Sequence, residues 1–580
     1  MIKSFKIFFN FLGFKLYLVL ALSVSGAFLE AIGIGAVIPL FAALSGDGNS
    51  NGYFIDLFNG FGPRQLMITL LCLFFAKGFV ILSIHIILSK MKGELQIILR
   101  TQILNKYSRI SYADYLKKVI GDMNANINEH ASRSLLAFEH FIRTSTQGVS
   151  AVVFLTFAFS ISPELAILAC LFSLLLYSLF GFQNKRSQRL SEYFASKNSE
   201  LSGEFVQFIL GFKYLKSTNL IEWSKSKLDL IIRNLAKTQV SLGISQGIVA
   251  ALREPIGVSF ILFALWFQTE YRDHGLSETL VILILFYRGF SAFSASQTYK
   301  VKMSEYYGSL NAIISETYDP NPDEIQKPRT STVSIKNIEK IELIDVSYKF
   351  DNNSKNVLSD VNLVINKREL IGIIGQSGSG KTTLIDIISG LLEPTFGLVK
   401  INDIELTDIT EGSWQKHIGY VGSQSPIFNG SVRFNITLGL PASDNELNEI
   451  IKKVSLSDFL RELDKGLDTN LSNFGNSLSD GQKQRLLIAR EIFKKPELLI
   501  FDEATNALDP ETQKSISTLL QALKGNLTIL IIAHQMRNIE FSDRIVVIDS
   551  GKIVDTGRYQ YLLNKKDSVL KNFMKLESAG

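Results

Sequence analysis

Long apolar runs crowd the first 318 residues, and short apolar runs alternating with polar ones fill the rest. Six runs read as membrane-spanning helices: 16–44, 66–89, roughly 147–161, 164–183, roughly 243–268 and roughly 278–298. The hydrocarbon core of a bilayer takes about 20 apolar residues, and the first run, interrupted only by Glu30, exceeds that. Pro163 marks a tight turn between the third and fourth. Residues 45–64 are rich in Gly, Asn and Asp and predict an external loop. Two longer connections, 90–133 and 184–240, keep helical periodicity. They predict extensions of the spans that reverse at short turns near Ser111 and near Asn219. Residues 319–339 are polar and Pro-bearing and read as a linker. From residue 340 the period changes to short strands alternating with helices, which predicts an α/β domain. The expected fold is an all-α six-helix transmembrane domain over 1–318 fused through the linker to an α/β domain over 340–580.

Composition changes this picture little, because the 46% hydrophobic content averages two unlike halves. Charge adds orientation. The connections 90–133 and 184–240 are rich in Lys and Arg, whereas 45–64 holds only Arg64 and 270–276 only Arg272. The positive-inside bias puts both termini and both basic connections in the cytoplasm. A net charge of +5 over 580 residues is too slight to argue for nucleic acid. Cys72 and Cys170 both lie in apolar runs and read as buried or lipid-facing thiols rather than a disulfide. Charges inside the spans cost a few kcal/mol each at the bilayer centre, so Glu30, Lys77, Arg253, Glu254 and Arg288 are expected to face protein or water. Three basic groups against two acidic ones suit an anionic, phosphate-bearing substrate. Pairing that only locks the bundle accounts for them equally well.

The candidate chemistry lies in the second half. An apolar run, 370–374, leads into Gly375-Gln-Ser-Gly-Ser-Gly-Lys381-Thr382-Thr383, and another, 384–388, follows. Strand, glycine-rich loop and helix in that order are the context of a phosphate-binding P-loop. The glycines let the backbone approach phosphates closely enough for several N–H groups to form an anion nest. Lys381 would neutralise β- and γ-phosphate oxygens, and the Thr382 hydroxyl would ligate Mg²⁺. Behind the loop, the strand 498–502 ends in Asp502 and Glu503. Asp502 would hold Mg²⁺ through its water shell, and Glu503 would polarise the attacking water. His534 ends another apolar run and would contact the γ-phosphate, although a lone histidine is more often structural. Gln424 follows the strand 418–422, in reach of metal and water. Residues 478–482 read as a turn opening a helix, whose N-terminus favours an anion. Each element is weak alone; the ordered set is not.

That order resembles the ATP-binding cassette family, and six spans ahead of it resemble an ABC exporter half-transporter. By this resemblance Gly375, Ser377, Gly378, Ser379, Gly380, Lys381, Thr382 and Thr383 belong to the Walker A loop. Gln424 is the Q-loop glutamine, a catalytic and metal residue. Ser479, Gly481 and Gln482 belong to the signature, Asp502 and Glu503 to Walker B, Asp509 to the D-loop, and His534 is the switch histidine. Phe350 falls at the aromatic position that stacks on adenine. The resemblance implies ATP and Mg²⁺ as cofactors. It also implies a head-to-tail dimer, most simply a homodimer, in which each ATP lies between one Walker A loop and the other subunit's signature. The sequence departs from the family pattern at Asp480 (usually Gly), Asn506 (Ser), Gln535 (Arg), Asn473 (Glu) and Phe350 (commonly Tyr). With Glu503 and His534 intact, hydrolysis is expected.

The membrane half is most similar to bacterial flippases of lipid-linked oligosaccharides, through Glu30, Lys77, Arg253 with Glu254, and Arg288. This implies an amphipathic, lipid-linked glycan moved from the cytoplasmic to the outer face of a bacterial inner membrane. The basic residues would meet its pyrophosphate or glycan. Lipid A-type lipids, drugs or peptides are the alternative cargo. A membrane-anchored ATP sensor that does not turn over is the reading from another class.

Overall fold

The computed structural model describes residues 8–9, 12–40, 58, 60–161, 163–271, 276–317, 333–350, 355–422, 425–471, 478–502, 510–533, 539–565 and 569–571. Two units emerge, one of Met1–Ile110 with Lys117–Pro322, the other of Ser111–Leu116 with Asp323–Gly580.

The first unit is helical. Its long helices are α1 (Lys15–Gly35), α2 (Pro63–Ser108), α3 (Ala131–Ile161), α4 (Pro163–Leu210), α5 (Ile221–Tyr271) and α6 (Leu276–Glu305). Over the described residues each apolar run predicted from the sequence falls in one of them, save residues 36–40 of the first run, which follow α1. The basic connections are helical as expected. α2, α4 and α5 run for 46, 48 and 51 residues, and at 1.5 Å per residue each is about 70 Å long, more than twice a hydrocarbon core. Among the described residues, the stretch Lys15–Leu40 and α2 are long and apolar enough to cross a membrane. The second reversal is made by the short helix Phe212–Ser217 and Asn219, whose backbone is left-handed at φ 58°.

Small residues let these helices approach. A Cβ at Gly26 of α1 would lie 3.3 Å from Val80, and one at Gly33 3.4 Å from the Phe74 ring, both on α2. Such close backbone approach is what holds helices together where lipid removes the hydrophobic drive. Ala31, Ile34, Ala151, Phe154, Leu285 and Phe286 are all buried and join α1, α3 and α6. Elsewhere on α2, Phe75 and Phe79 are 72% and 70% exposed. Cys72 of the same helix is a free, exposed thiol; the side chain of Cys170 lies outside the described residues.

The second unit is α/β. Its strands are β1 (Lys340–Tyr348), β2 (Leu358–Asn366), β3 (Leu370–Gly375), β4 (Phe396–Ile401), β5 (Ile404–Glu405), β6 (Ile418–Gly422), β7 (Gly430–Ser431), β8 (Asn470–Leu471), β9 (Leu498–Asp502), β10 (Thr528–Ile532), β11 (Arg544–Asp549) and β12 (Lys552–Gly557). They form a six-stranded sheet of order β12-β11-β3-β10-β9-β6, a four-stranded antiparallel sheet of order β2-β1-β4-β5, and the pair β7-β8. In the larger sheet β11, β3, β10, β9 and β6 run parallel, with β12 antiparallel at the edge.

Sequence explains this sheet. Its central strands are unbroken apolar runs because both faces are covered. Leu499 and Phe501, Ile529 and Ile531, and Ile545 and Val547 pack on one side. Leu498 and Ile500, Leu530 and Ile532, and Val546 and Ile548 pack on the other. The period of two thus builds two cores from single strands. Helix α7 (Lys381–Ile388) is the next element after β3, and the Trp414 indole N–H caps its far end by donating to the Ile388 carbonyl at 3.0 Å.

Candidate functional site

Parallel strands bring their carboxyl ends to one edge, where Asp502 and the start of the P-loop lie. Ile532 of β10 is in register with Asp502 of β9 and Ile373 of β3, and Gly422 of β6 is in register with Asp502. The P-loop leaves the same edge from β3. Gln424, Glu503, Asp509 and His534 follow these strand ends in sequence and lie outside the described residues, as do Asn473, Asn506 and Gln535.

The loop between β3 and α7 is built for close approach. Gly380 has φ 101°, and a Cβ there would meet Leu358 Cδ2 at 2.7 Å and the Val357 carbonyl at 2.9 Å. A Cβ at Gly375 would fall 2.1 Å from the Ile548 carbonyl. Only glycine fits both positions. Lys381 is buried at 5% exposure. Its ammonium folds back to donate to the carbonyls of Gly375 and Gln376, both at 2.9 Å. Ser379 is 4% exposed, and its hydroxyl is buried with no hydrogen-bond partner among the described residues. An orphaned donor in a glycine-rich loop that opens a helix fits a phosphate oxygen. Ser377, Gly378 and Thr382 are exposed at the rim, and Thr383 is buried behind them. Thr382, at the start of α7, can offer its hydroxyl to a metal ion.

Asp502 closes β9 at 8% exposure. The hydroxyl of Tyr420, on β6, donates to its Oδ2 at 2.8 Å. Burial first, and then the Asp502 carboxylate, push the Tyr420 hydroxyl well above the ordinary phenol range, so it stays a donor. Asp386, on α7, is 9% exposed. Burial, then the charge of Asp502, raise its carboxyl to about 6. A carboxylate pair and a phenol therefore stand behind the phosphate loop. Sequence reasoning found Asp502 but not Tyr420 or Asp386, which no motif spacing singles out.

Asp480, which stands where the family pattern usually has Gly, is the first residue of the helix α8 (Asp480–Phe493), where a carboxylate suits the positive helix end, and it pairs with Lys483 at 3.5 Å. Ser479 caps this helix: its hydroxyl accepts from the Gln482 amide at 3.2 Å, and its amide donates to Gln482 Oε1 at 2.9 Å. Gly481 sits between them, half-buried. Farther along α8, the buried Arg490 guanidinium donates to the Asn435 carbonyl, to Asn435 Oδ1 and to the Pro426 carbonyl, at 2.8, 3.0 and 2.9 Å. Phe350 is half-buried, edge-on to Tyr348 with ring centroids 5.1 Å apart.

In the helical unit, Glu30, Lys77 and Arg288 come together. Lys77 Nζ lies 2.9 Å from Glu30 Oε2 and Arg288 Nη1 lies 3.4 Å from Glu30 Oε1. They line a cavity of about 290 Å³ with Gln147, Ser150 and Ser291. The side chains of Arg253 and Glu254 lie outside the described residues.

Comparison with known proteins agrees with this architecture. Residues 358–506 match the ABC transporter family model. The heterocyst differentiation ATP-binding protein HepA of Nostoc sp. is 26% identical over 483 residues, 83% of this chain and 79% of that protein. A Staphylococcus aureus protein named for multidrug export, an ATP-binding/permease protein, is 40% identical over 228 residues, 39% of each chain. The structure of a bacterial Atm1-family ABC exporter with ATP bound superposes with a TM-score of 0.79 at 19% identity, over 98% of both chains. A phosphate cradle at the strand edge and an exporter's fold lead to one conclusion: residues 358–506 are an ABC transporter domain, an ATPase module that couples ATP with Mg²⁺ to transport, and the chain as a whole has the fold of an ABC exporter.

Proposed function

We propose that the chain is a half-transporter that flips an amphipathic, lipid-linked glycan from the cytoplasmic to the outer face of a bacterial inner membrane, working as a homodimer with both termini cytoplasmic. The observation that carries the cargo reading is the cluster of Glu30 with Lys77 and Arg288. One carboxylate faces two cations inside apolar helices, leaving a net positive charge beside a polar cavity. An isolated charge is expensive there, and a locking pair would need only one cation. The surplus cation suits a pyrophosphate, and the cavity's amide and hydroxyl groups suit the neighbouring sugar.

In the cassette, Phe350 stacks on the base, and the amides of Gly375, Ser377, Gly378, Ser379 and Gly380 line the phosphate nest. Lys381 exchanges its two loop carbonyls for phosphate oxygens, and the Ser379 hydroxyl gains its missing partner. Thr382, Asp502 and Gln424 would hold Mg²⁺, which when bound would supply positive charge to the phosphates. Glu503 polarises the attacking water, and His534 holds it in line. Ser479, Gly481, Gln482 and Asp509 act across the dimer on the nucleotide of the partner cassette. Alternating access of the helices then follows the population of closed cassettes.

ATPase activity in proteoliposomes, with and without a polyprenyl-pyrophosphate glycan, tests this reading beside Glu503→Gln. Stimulation by the glycolipid that the variant lacks is the expected result. Hydrolysis indifferent to that lipid would retire the glycan and leave drugs, the cargo class for which the staphylococcal relative is named.

A further inference from the structure

Two residues ahead of Asp502's neighbour on the sheet stands a tyrosine that no motif claims. β6 and β9 are parallel, with Tyr420 opposite Ile500 and Gly422 opposite Asp502. Residues two apart on a strand share a face, so Tyr420, Gly422 and Asp502 all present to one side. A tyrosine normally stands off the sheet. Here it cannot be doing so, because a Cβ at Gly422 would meet Tyr420 Cε1 at 2.8 Å and its hydroxyl oxygen at 3.0 Å. The ring lies along its own strand, over the space that any other residue at 422 would fill. That posture carries the hydroxyl to Asp502 Oδ2, 2.8 Å away. The contact joins residues 82 apart in sequence and is made at the last position of β9, where the carboxylate leaves the sheet.

We propose that Tyr420 is a positioning residue for the metal-holding carboxylate of Asp502, and that Gly422 is required because it clears the space in which the tyrosine lies down. The inference rests on the assignment of Asp502 to the metal. A carboxylate at a strand end can rotate about its last torsion at small cost. A phenol donating to one oxygen fixes that rotation and leaves the other oxygen's direction set before the ion arrives. Outer partners of this kind commonly alter metal affinity without touching the metal.

The test uses the full-length protein in detergent, loaded with a non-hydrolysable ATP analogue, and titrates Mn²⁺ by electron paramagnetic resonance. Tyr420→Phe is expected to weaken Mn²⁺ about 10- to 100-fold, the scale on which losing an outer partner of a metal ligand acts. Its metal-free nucleotide affinity should match wild type, which also reports that the cassette is folded. Gly422→Ala, which pushes the ring off Asp502, should reproduce the Mn²⁺ loss although the phenol is still present. Asp502→Asn serves as the reference. Wild-type Mn²⁺ affinity in Tyr420→Phe, with weakened affinity in Asp502→Asn, would overturn the positioning role alone. Unchanged affinity in Asp502→Asn would overturn the metal assignment and the inference with it.

Discussion

The Lys77 ammonium lies 2.9 Å from Glu30 Oε2, an ion pair joining the first two long helices through side chains that are only 20% and 11% exposed. Arg288 approaches the other oxygen of the same carboxylate. Removing a cation that only braces the bundle costs stability, whereas removing one that meets cargo costs transport. Lys77→Ala and Arg288→Ala are each expected to cut transport about tenfold, the worth of one charge-assisted contact, with basal ATPase near wild type. Translocation and hydrolysis measured on the same proteoliposomes check this. Joint loss of both activities and of thermal stability would assign the residues to bracing.

Lys381 already makes two hydrogen bonds within its own loop, so its replacement removes a support as well as a charge. Lys381→Ala should weaken ATP binding about 10- to 100-fold, as expected for losing a charged donor to phosphate. Fluorescent-nucleotide titration reads this directly. Affinity unchanged from wild type would remove Lys381 from the phosphate site.

Asp386 supplies a prediction about pH. Its carboxyl is raised to about 6 in the folded protein, by burial and then by Asp502, against about 3.9 for an unperturbed aspartate. Between these values the folded state holds the proton that the unfolded state has lost. Its contribution to stability is therefore greatest below about 4 and falls as pH rises through about 6. Asp386→Asn removes that slope. The variant should gain on wild type from pH 4 to pH 6.5 and stay ahead at neutral pH. Melting temperatures of both proteins across that range give the comparison, and parallel curves would refute it.

Arg490 is 4% exposed and satisfies oxygens of Asn435 and Pro426. Its loss leaves buried acceptors without donors, at about 2–4 kcal/mol in total. Arg490→Met should lower the cassette's melting temperature by several degrees, measured by calorimetry. Arg490→Lys should recover little of it, because one ammonium cannot reproduce a planar three-bond fork.

Much of the cassette was legible because its chemistry is local. Gly375 through Thr383 carry loop, charge and metal hydroxyl within nine residues, and continuous apolar runs gave the buried strands. Asp502 was visible as a carboxylate ending such a run. Tyr420 was not, because its meaning depends on the register of β6 against β9, which sequence spacing does not encode. In the helical unit the charges were legible one at a time. That Glu30 faces both Lys77 and Arg288 depends on how three helices are rotated, and hydropathy is blind to rotation. Asp480 shows the converse: the sequence marks it only as a departure from a pattern, and its place at the first position of a helix, where a carboxylate is favoured, becomes visible in the structure.

The capped start of α8 bears on how readily a dimer could let go. Ser479 and Gln482 satisfy each other's amides before any nucleotide is near, so two of the amides at this helix start are already bonded. In a dimer of the proposed kind, a phosphate drawing on those two amides would exchange with bonds already made, and when it left those bonds would be there to be remade. The bound nucleotide, not this part of the protein's own surface, would then have to supply the hold.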